Sequence, residues 1–310
     1  MGRYDGALTI DPPLEGSVLT LGSFDGLHIG HQALVRTACE EGLRLGVPGV
    51  GYTFHPHPAR VLAPRFAPRM LMSLERRVSG LLALGLKHVV VEGFDAAFAA
   101  VEADAWVREW VVPRLRPRAI VVGFNFTFGK GRAGTPDVLR QIGEELSFEV
   151  HEVAPVQIGG LAVSSTKVRE FVQNGSVKSA EELLGRPFAL VGQVIKGEQR
   201  GRHIGLPTAN LRPDSEILPA HGVYATEVLL DGLRRSAVTN VGLRPTFAGD
   251  QVTVETHVLD YEGDLYGRHV EVDFRQRIRG EMRFDGPDAL VAQVRQDIEA
   301  ARHLLGAPQR

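Results

Sequence analysis

The chain has 310 residues, of which 44% are hydrophobic and 23% charged, and its formal net charge is -2. This length is large for one hydrophobic core and comfortable for two, so we expect two domains of an ordinary soluble globular protein. Charges of both signs are spread along the chain, which argues against a nucleic-acid-binding protein and against an acidic tail.

The N-terminus and the cysteine content narrow the class further. Met1–Leu14 mixes acids, prolines and glycines and lacks the basic start and apolar run of a signal peptide. No stretch reaches the roughly 20 apolar residues of a membrane span, so we expect a cytoplasmic protein. Cys39 is the only cysteine; it excludes an intramolecular disulfide, and its apolar helical neighbours favour a buried thiol over a nucleophile.

The first half of the chain alternates β-rich runs with helical segments about every 30 residues, which is typical of βαβ units. In chain order, the predicted strands are Val18–Gly22, Val50–Phe54, His88–Val91, Ala119–Val122 and Phe148–Val153. The predicted helices are His31–Leu45, Leu74–Leu84, Ala105–Leu115 and Pro136–Leu146. The pattern predicts an α/β domain with a Rossmann-like parallel sheet, which binds ligands at the carboxyl ends of its strands.

After about Gly185 the pattern changes to consecutive strands separated by Gly, Pro and Asp. The predicted strands are Ala189–Ile195, Gly222–Leu229, Ser236–Val241, Val252–Leu259 and His269–Phe274. Only Asp288–Leu305 has convincing helical spacing there. We therefore expect a mostly β, antiparallel barrel-like domain with a terminal helix, and we assign the domains to residues 1–184 and 185–310.

The segment Gly22–His31 joins the first predicted strand to the first helix. Its glycines permit a tight turn and a close approach of backbone to ligand. His28 and His31 lie three residues apart where a helix opens, so they share a face beside a terminus that favours negative charge. Two imidazoles there suit the phosphates of a nucleotide and the charge that builds as pyrophosphate leaves. The alternative is a helix cap with two incidental surface histidines.

The segment Ser164–Arg169 precedes another helix. By itself, Ser-Ser-Thr is an ordinary N-cap cluster. With an arginine one turn later, hydroxyls, backbone N–H groups and one guanidinium converge, which suits a triphosphate.

Both segments resemble signatures of the nucleotidyltransferase superfamily, although Val168 stands where Ser-Ser-Thr-x-Ile-Arg has isoleucine. The Gly-x-Phe-Asp-Gly ahead of the histidines resembles the bifunctional bacterial riboflavin kinase/FAD synthetase family. Thr53–Pro58 is similar to that family's Thr-Phe-x-Pro-His-Pro; the alternative is a proline-stiffened loop with His55 and His57 exposed. The FMN phosphate can then attack the α-phosphorus of ATP directly, so that no protein nucleophile is needed.

The segment Gly123–Arg132 follows the fourth predicted strand. Alternation places Phe124, Phe126 and Phe128 on one face and Asn125 on the other. The segment is either a core-facing strand end or an aromatic wall for a flavin ring. The family resemblance implies that Asn125 binds near the nucleotide.

The second domain opens with a loop that has glycines at positions 197, 201 and 205. Such a loop can wrap phosphates through backbone N–H groups, but it lacks the Gly-Lys-Ser/Thr ending of a Walker loop. By itself it is a flexible glycine-rich hairpin. The following Gly-Leu-Pro-Thr-Ala-Asn is similar to the Gly-Phe-Pro-Thr-Ala-Asn of riboflavin kinases, with Leu206 in place of phenylalanine. The resemblance implies that Thr208 and Asn210 hold magnesium and ATP phosphates, and their oxygens are suitable hard ligands.

Glu255 lies in a predicted strand, where a charged residue usually faces solvent. The segments Thr239–Phe247 and Val254–His257 resemble two further blocks of the riboflavin kinases. The resemblance implies that Glu255 is the catalytic base, which accepts the ribityl 5'-hydroxyl proton as the γ-phosphoryl group of ATP transfers.

The motifs predict two ATP-dependent steps, riboflavin to FMN in residues 185–310 and FMN to FAD in residues 1–184. Magnesium serves both steps, and the partners are the small molecules riboflavin, FMN and ATP. The candidate adenylylation residues are Gly22, Phe24, Asp25, His28, Gly30, His31, Asn125, Ser164, Ser165, Thr166 and Arg169. The candidate kinase residues are Gly197, Gly201, Arg202, Thr208, Asn210 and Glu255.

Two other functions fit parts of the pattern. One is a nucleotidyltransferase whose second domain binds flavin without turnover, against which the intact Thr208, Asn210 and Glu255 argue. The other is a flavin-sensing regulatory or storage protein. The intact histidine pair and the lack of an added DNA-binding module argue against it.

Overall fold

The computed structural model describes residues 2–197, 207–246 and 249–306. Its chain divides into two compact units, Met1–Ser164 and Ser165–Arg310. Among the described residues, no helix combines the length and the apolar character needed to cross a membrane.

The first unit contains a sheet of six parallel strands among its described residues. The strands are β1 (Gly2–Tyr4), β2 (Ser17–Leu21), β3 (Gly49–His55), β4 (His88–Gly93), β5 (Pro117–Gly123) and β6 (Glu149–Val153). The predicted parallel sheet is confirmed. The short edge strand β1, which pairs with β4, was not predicted because its sequence Gly-Arg-Tyr has no apolar run.

The helices of this unit follow the predicted order. They are α1 (Ile29–Leu45), α2 (Pro58–Leu62), α3 (Leu74–Ala83), α4 (Ala96–Ala99), α5 (Ala103–Ala105), α6 (Val112–Leu115) and α7 (Pro136–Leu146). The predicted helix Ala105–Leu115 is interrupted by a π-helical segment, Trp106–Val111. Pro113 has no N–H to donate to the preceding turn, which disfavours a regular α-helical ladder there. A small hairpin, β7 (Gln157–Ile158) and β8 (Leu161–Ala162), precedes the end of the unit.

Both faces of the sheet are covered, as a parallel sheet requires. On one face, Leu34 of α1 and Leu81 of α3 pack in the same cluster as Val18. On the other face, Trp106 and Leu139 pack in the cluster of Leu19. The adjacent residues Val18 and Leu19 of β2 thus serve opposite cores, which follows from the two-residue alternation of a strand.

The strand order is β1-β4-β3-β2-β5-β6. The chain runs from β2 to β3 and β4 on one side and then crosses to β5 and β6 on the other. The connections therefore diverge at the carboxyl ends of β2 and β5, which leaves a crevice where doubly wound sheets bind their ligands.

The second unit begins with two helices, α8 (Ser165–Gln173) and α9 (Val177–Leu184). A closed barrel of antiparallel strands follows within the described residues. Its strands are β9 (Phe188–Ile195), β10 (Ala209–Pro213), β11 (Gly222–Leu230), β12 (Leu233–Thr246), β13 (Gly249–Val258) and β14 (His269–Arg279), and helix α10 (Pro287–Leu305) comes last. The predicted barrel and terminal helix are confirmed. Strand β10 was not predicted, because asparagine and proline are depleted in strands.

The two faces of the barrel wall differ in what they contact. Val223, Ala225 and Val238 pack in one cluster with Ala301 of α10, so this face points outward under the helix. On the opposite face, Thr239 is buried, and its hydroxyl lies 2.8 Å from that of Thr226. Alternation therefore separates outer from inner residues where the strand pairing is regular, and the register shifts between β11 and β14 interrupt it.

Candidate active sites

Three of the sequence motifs meet at one edge of the parallel sheet. The segment Gly22–His31 follows β2, Thr53–Pro58 begins within β3, and Gly123–Arg132 begins at the end of β5. Because β2 pairs with both β3 and β5, the carboxyl ends of these three strands are neighbours. The expectation that the motifs lie at the carboxyl edge is confirmed, and they lie at the crevice described above.

The turn after β2 has an unusual backbone. Phe24 and Leu27 adopt positive φ angles of 51° and 46°, and Gly26 lies between them at 83°. Bulky residues rarely adopt positive φ, and each such residue costs about 1–3 kcal/mol. Both side chains are buried and hold the turn in place, and Gly80 of α3 leaves room for Leu27, since a Cβ there would lie 2.3 Å from Leu27 Cδ1. Strained turns of this kind are concentrated at functional sites.

Asp25 is fully buried in the same turn. Its two carboxylate oxygens lie 3.0 and 3.1 Å from the backbone nitrogen of Leu71, which donates to them. Phe24 is also fully buried and contacts the ring of His31 edge-on at a centroid distance of 5.3 Å. The buried side chains of Asp25 and Phe24 therefore help to fix the conformation of the turn.

His28 is the N-cap of α1. Its extended backbone precedes the helix, and its Nδ1 accepts a hydrogen bond from the His31 N–H at 3.2 Å. The two imidazole rings stack with centroids 3.6 Å apart and an interplanar angle of 16°. The helix-cap interpretation is thus correct for His28, but its side chain is buried rather than at the surface. The stacked rings lie at a helix N-terminus, which favours anions. The shared face predicted from their spacing is confirmed.

Two glycines of the turn allow close packing. A Cβ at Gly30 would lie 3.2 Å from Cε1 and Nδ1 of His28, and one at Gly22 would lie 3.3 Å from the Phe24 ring. Neither glycine has a positive φ. Their role here is to leave space for a neighbouring ring.

The segment after β3 contributes two histidines in different roles. His57 is the N-cap of α2, where its Nδ1 accepts the Ala59 N–H at 3.2 Å. His55 ends β3 and is exposed. The desolvation that remains there, together with the nearby charge of Arg77, lowers its pKa below the ordinary value. A lowered pKa keeps the His55 imidazole mostly neutral at pH 7.

The segment after β5 differs from the prediction. Strand β5 ends at Gly123, and the Phe126 N–H donates to the Gly123 carbonyl at 2.9 Å, so the chain turns instead of alternating. Phe126 and Phe128 stack at 5.6 Å, but Phe124 is half exposed and does not join them. The three phenylalanines therefore do not form one wall. Asn125 is exposed at this edge of the sheet.

The Ser164–Arg169 segment spans the boundary between the two units. Ser164 is the last residue of the first unit, and α8 begins at Ser165 in the second. Thr166 lies in the first turn of α8, and Arg169 lies one turn further along, as its spacing predicts.

Two candidate kinase residues, Asn210 and Glu255, meet on neighbouring strands of the barrel. Glu255 of β13 is the direct register partner of Asn210 on β10 and of Asn240 on β12. Directly opposite residues of antiparallel strands point to the same face. Glu255 therefore lies between two asparagines on the outer face, opposite to that of its neighbour Thr256, whose hydroxyl bonds Thr239 inside at 2.9 Å.

This position answers the question that the sequence left open for Glu255. The charged residue does lie on the outer face of the strand, but it is only partly exposed. Asn240 lies within the Thr239–Phe247 block but is not among the candidate site residues predicted from the sequence. The signal was available, because an asparagine amid the apolar residues of a predicted strand is uncommon.

The structure describes only some of the residues in the predicted phosphate-binding loop of the second domain. A Cβ at Gly197 would lie 2.3 Å from Nδ2 of Asn210, so only glycine fits beside that amide. Gly201 and Arg202 lie outside the described residues. Thr208 is partly buried, and the carbonyl of Pro207 before it lies 2.8 Å from His257 Nδ1 on β13.

Thr208 lines a cavity of about 350 Å³ at one end of the barrel. Val194 and Thr256 line it from the wall, and the loop containing Tyr261 and Tyr266 lines it from outside. Its size is within the range of small-molecule sites.

Comparison with known proteins gives a consistent result for both halves. Residues 11–167 match the family model described as FAD synthetase, and residues 184–305 match the one described as riboflavin kinase. The bifunctional riboflavin kinase/FMN adenylyltransferase of Escherichia coli strain K12 is 40% identical over 295 residues, covering 95% of this chain and 94% of the relative. The protein of that name from Pseudomonas fluorescens is 38% identical over 304 residues, covering 98% and 97%.

One solved structure is similar along the whole chain. It is a crystal structure named as a macrolide-efflux protein from Streptococcus pneumoniae, with a TM-score of 0.89 and 33% sequence identity. The similarity covers 97% of this chain and 98% of that one.

Proposed function

Because this chain belongs to the bifunctional riboflavin kinase/FMN adenylyltransferase family, we propose that its two reactions occur at the two candidate sites described above. The chain phosphorylates riboflavin to FMN with ATP and adenylylates FMN to FAD with a second ATP. The observation that carries the assignment of sites is the meeting of separate motifs: three strand ends at the crevice in the first unit, and three strands around Glu255 in the second.

For adenylylation, an oxygen of the FMN phosphate attacks the α-phosphorus of ATP, and the bond to the β-phosphate breaks to release pyrophosphate. His28 and His31 bind the phosphates and neutralise the charge that develops on the leaving group. The N–H groups at the start of α1 add a partial positive charge on the same side. From the resemblance to the nucleotidyltransferase signature, we also assign Ser164, Ser165, Thr166 and Arg169 to binding of the triphosphate.

Asn125 and the backbone at Gly22 and Gly30 bind the nucleotides at the same edge of the sheet. Asn125 is exposed there, and its amide can both donate and accept. The exposed side chain of Phe124 is next to it in sequence and offers an apolar surface to the flavin ring.

For the kinase step, Glu255 accepts the proton of the ribityl 5'-hydroxyl while that oxygen takes the γ-phosphoryl group of ATP. Its position between Asn210 and Asn240 supports this role, because the two amides can hold the hydroxyl and the phosphate beside the carboxylate. The cavity lined by Thr208 is large enough for the nucleoside part of ATP.

Magnesium fits the residues present. Thr208 and Asn210 supply a hydroxyl and an amide oxygen, which are ligand types that magnesium accepts alongside water and phosphate oxygens. When bound, the ion would neutralise charge on the phosphates of ATP. Gly197 leaves space against the Asn210 amide, which supports a role for that amide beyond packing.

The division of the chain between the two activities is also a proposal. We place adenylylation in residues 1–184 and the kinase in residues 185–310. The family matches support this, since the first ends at residue 167 and the second begins at residue 184. The segment between them contains most of α8 and α9.

A pair of variants tests both assignments within one chain. Replacing His28 and His31 with alanine should abolish FAD formation from supplied FMN and leave FMN formation from riboflavin intact. Glu255→Gln should do the reverse, because glutamine keeps the size of the side chain but cannot accept the proton. The loss of a general base lowers the rate by about 10²–10⁴-fold. FMN, FAD and pyrophosphate are measured separately.

Each variant serves as the folding control of the other, because both activities are read from the same chain. Thermal melting is recorded for both. A Glu255→Gln protein that loses both activities in parallel, or neither, would contradict the assignment of the kinase base. A histidine variant that still makes FAD at the wild-type rate would remove the histidines from the adenylylation site.

A further inference from the structure

Arg77 is a buried charged residue that none of the motifs includes. It lies in α3 and is only 2% exposed. Its Nη1 donates to the carbonyl of Ser23 at 2.7 Å, and its Nη2 donates to the carbonyl of Phe54 at 3.2 Å. Its Nε–H finds no hydrogen-bond acceptor among the described residues.

The two carbonyls belong to the two strand ends that carry the histidine motifs. Ser23 is the second residue after β2, in the turn that leads to His28, and Phe54 directly precedes His55 in β3. Other bonds link the same places: the Gly22 N–H donates to the Tyr52 carbonyl at 3.1 Å, and the Thr53 hydroxyl donates to the Ser23 carbonyl at 3.3 Å. Arg77 therefore lies outside both segments in the sequence, and its side chain is hydrogen-bonded to each of them.

The arrangement is costly for stability alone. A guanidinium loses much of its hydration when buried, and two backbone carbonyls with one N–H unsatisfied replace that hydration poorly. Burial accordingly lowers the pKa of Arg77, although the negative charge of Asp25 acts in the opposite direction. An apolar side chain would fill the same space without this cost, but it could not bind two carbonyls at once.

We propose that Arg77 is a positioning residue for adenylylation, which keeps the ends of β2 and β3 at the separation that the reaction requires. The proposal rests on the assignment of adenylylation to the His28 turn. The planar guanidinium spans two acceptors in a fixed geometry, which a single ammonium does not reproduce. Because the turn after β2 is strained, it has a tendency to relax, and the bond to Ser23 opposes that movement.

The test compares Arg77→Met and Arg77→Lys in the full chain. Arg77→Met should lower kcat for FAD formation at saturating FMN and ATP by about 10- to 100-fold, since a displacement of about 1 Å costs that much. The KM values for both substrates should change less than about threefold. Arg77→Lys keeps the charge but has all its N–H donors on one nitrogen, so it should recover only part of the lost kcat. FMN formation from riboflavin should stay at the wild-type rate in both.

Arg44→Met is the matched control, because it removes an arginine of the same unit whose side chain is half exposed and pairs with Glu41 and Glu149. It should leave both activities unchanged. If Arg77→Met does not fold, Arg77→Lys decides. An Arg77→Lys protein with a lower melting temperature but wild-type kcat would overturn the proposal, because the residue would then be structural only.

A His28→Ala variant, measured in parallel, tests the assignment of the adenylylation site separately from the positioning role of Arg77. If it retains full FAD synthesis, the assignment of the site is wrong. If it loses FAD synthesis while both Arg77 variants keep the wild-type kcat, only the positioning role fails.

Discussion

His28 has a structural role, and the chemical role that we propose for it uses the same ring. Its Nδ1 caps α1, and its face stacks on His31, so the ring has little freedom to rotate. Gly30 is part of this arrangement, because a methyl group there would lie 3.2 Å from two ring atoms of His28. A side chain at position 30 would therefore push the capping imidazole away from its place.

Gly30→Ala should separate stability from activity. Alanine is favoured over glycine within a helix by up to about 1 kcal/mol, so the stability of the first unit should be unchanged or slightly higher. FAD formation should nevertheless fall by about tenfold, because the His28 ring must move by a few tenths of an ångström. Steady-state rates and thermal melting of the same preparation check both parts.

Gly93→Ala is the control for this substitution. A methyl group at Gly93 meets no atom within 4 Å, and the residue has no positive φ. It should leave FAD formation unchanged. A Gly30→Ala protein with the wild-type rate would show that the position of the His28 ring is not critical.

Among the elements, α10 illustrates how an outer helix is fixed to a barrel. An apolar cluster forms one part of the contact, and a buried ion pair forms the other. Arg279 of β14 binds both oxygens of Asp297 on α10 at 2.8–3.2 Å, and Gln293 adds a bond at 3.0 Å. The side chain of Asp297 is only 3% exposed. Removing one partner of such a pair leaves the other charge buried without compensation.

Asp297→Ala should therefore destabilise the second unit by about 3 kcal/mol, the lower end of the range for broken buried pairs. Hydrogen exchange of β11 and β14 amides measures this locally, which avoids the assumption that the whole chain unfolds in one step. Glu299→Ala on the same helix is the control. The Glu299 side chain is 55% exposed, so its loss should cost less than about 0.5 kcal/mol. Equal effects of the two variants would mean that the Arg279 pair is not important for stability.

At the scale of the whole molecule, the compact units and the family matches divide the chain at different places. The units meet between Ser164 and Ser165, whereas the kinase match begins at residue 184. Helices α8 and α9 belong to the second unit because α9 packs against β9 and β14. Arg275 of β14 also binds Glu181 of α9 at 3.1 Å while it binds Glu227 of β11 at 2.6 Å. Both helices thus belong to the same unit as the barrel. Helix α8 nevertheless begins within the segment that resembles the nucleotidyltransferase signature.

This arrangement predicts a difference between two fragments. Residues 165–310 and residues 185–310 should both convert riboflavin to FMN, because the candidate kinase residues lie beyond residue 184. The longer fragment should be more stable by about 2 kcal/mol or more, since it keeps the apolar contacts of α9 with the barrel. Urea unfolding of each fragment gives the comparison. Equal midpoints would show that α8 and α9 are not part of the barrel's cooperative unit, and a folded longer fragment without kinase activity would contradict independent sites.

The candidate sites could be predicted from the sequence where a motif is continuous. The histidine pair, the helix that follows it and the strand before it all lie within a short segment, so local spacing was sufficient. Asn240 on β12 is an unusual residue for a predicted strand, but its position beside Glu255 could not be predicted, because strand pairing brings the two together. The prediction that Phe124, Phe126 and Phe128 share one face was wrong for a related reason. The chain turns after Gly123, where the Phe126 N–H donates to the Gly123 carbonyl, and apolar spacing alone does not reveal that turn.

The fold class of each half, the family and the order of the motifs could be predicted from the amino-acid sequence, because hydrophobic period and contiguous signatures are local properties of a chain. The folded chain was needed to show which strand ends are neighbours, which face of the barrel carries Glu255, and that Arg77 of α3 joins two segments distant from it in the sequence. These depend on strand order and register, since contacts between distant residues arise only when the chain is packed. The motifs that supply the chemistry of each site can therefore be recognised within short segments, whereas the geometry of the site depends on contacts between distant segments.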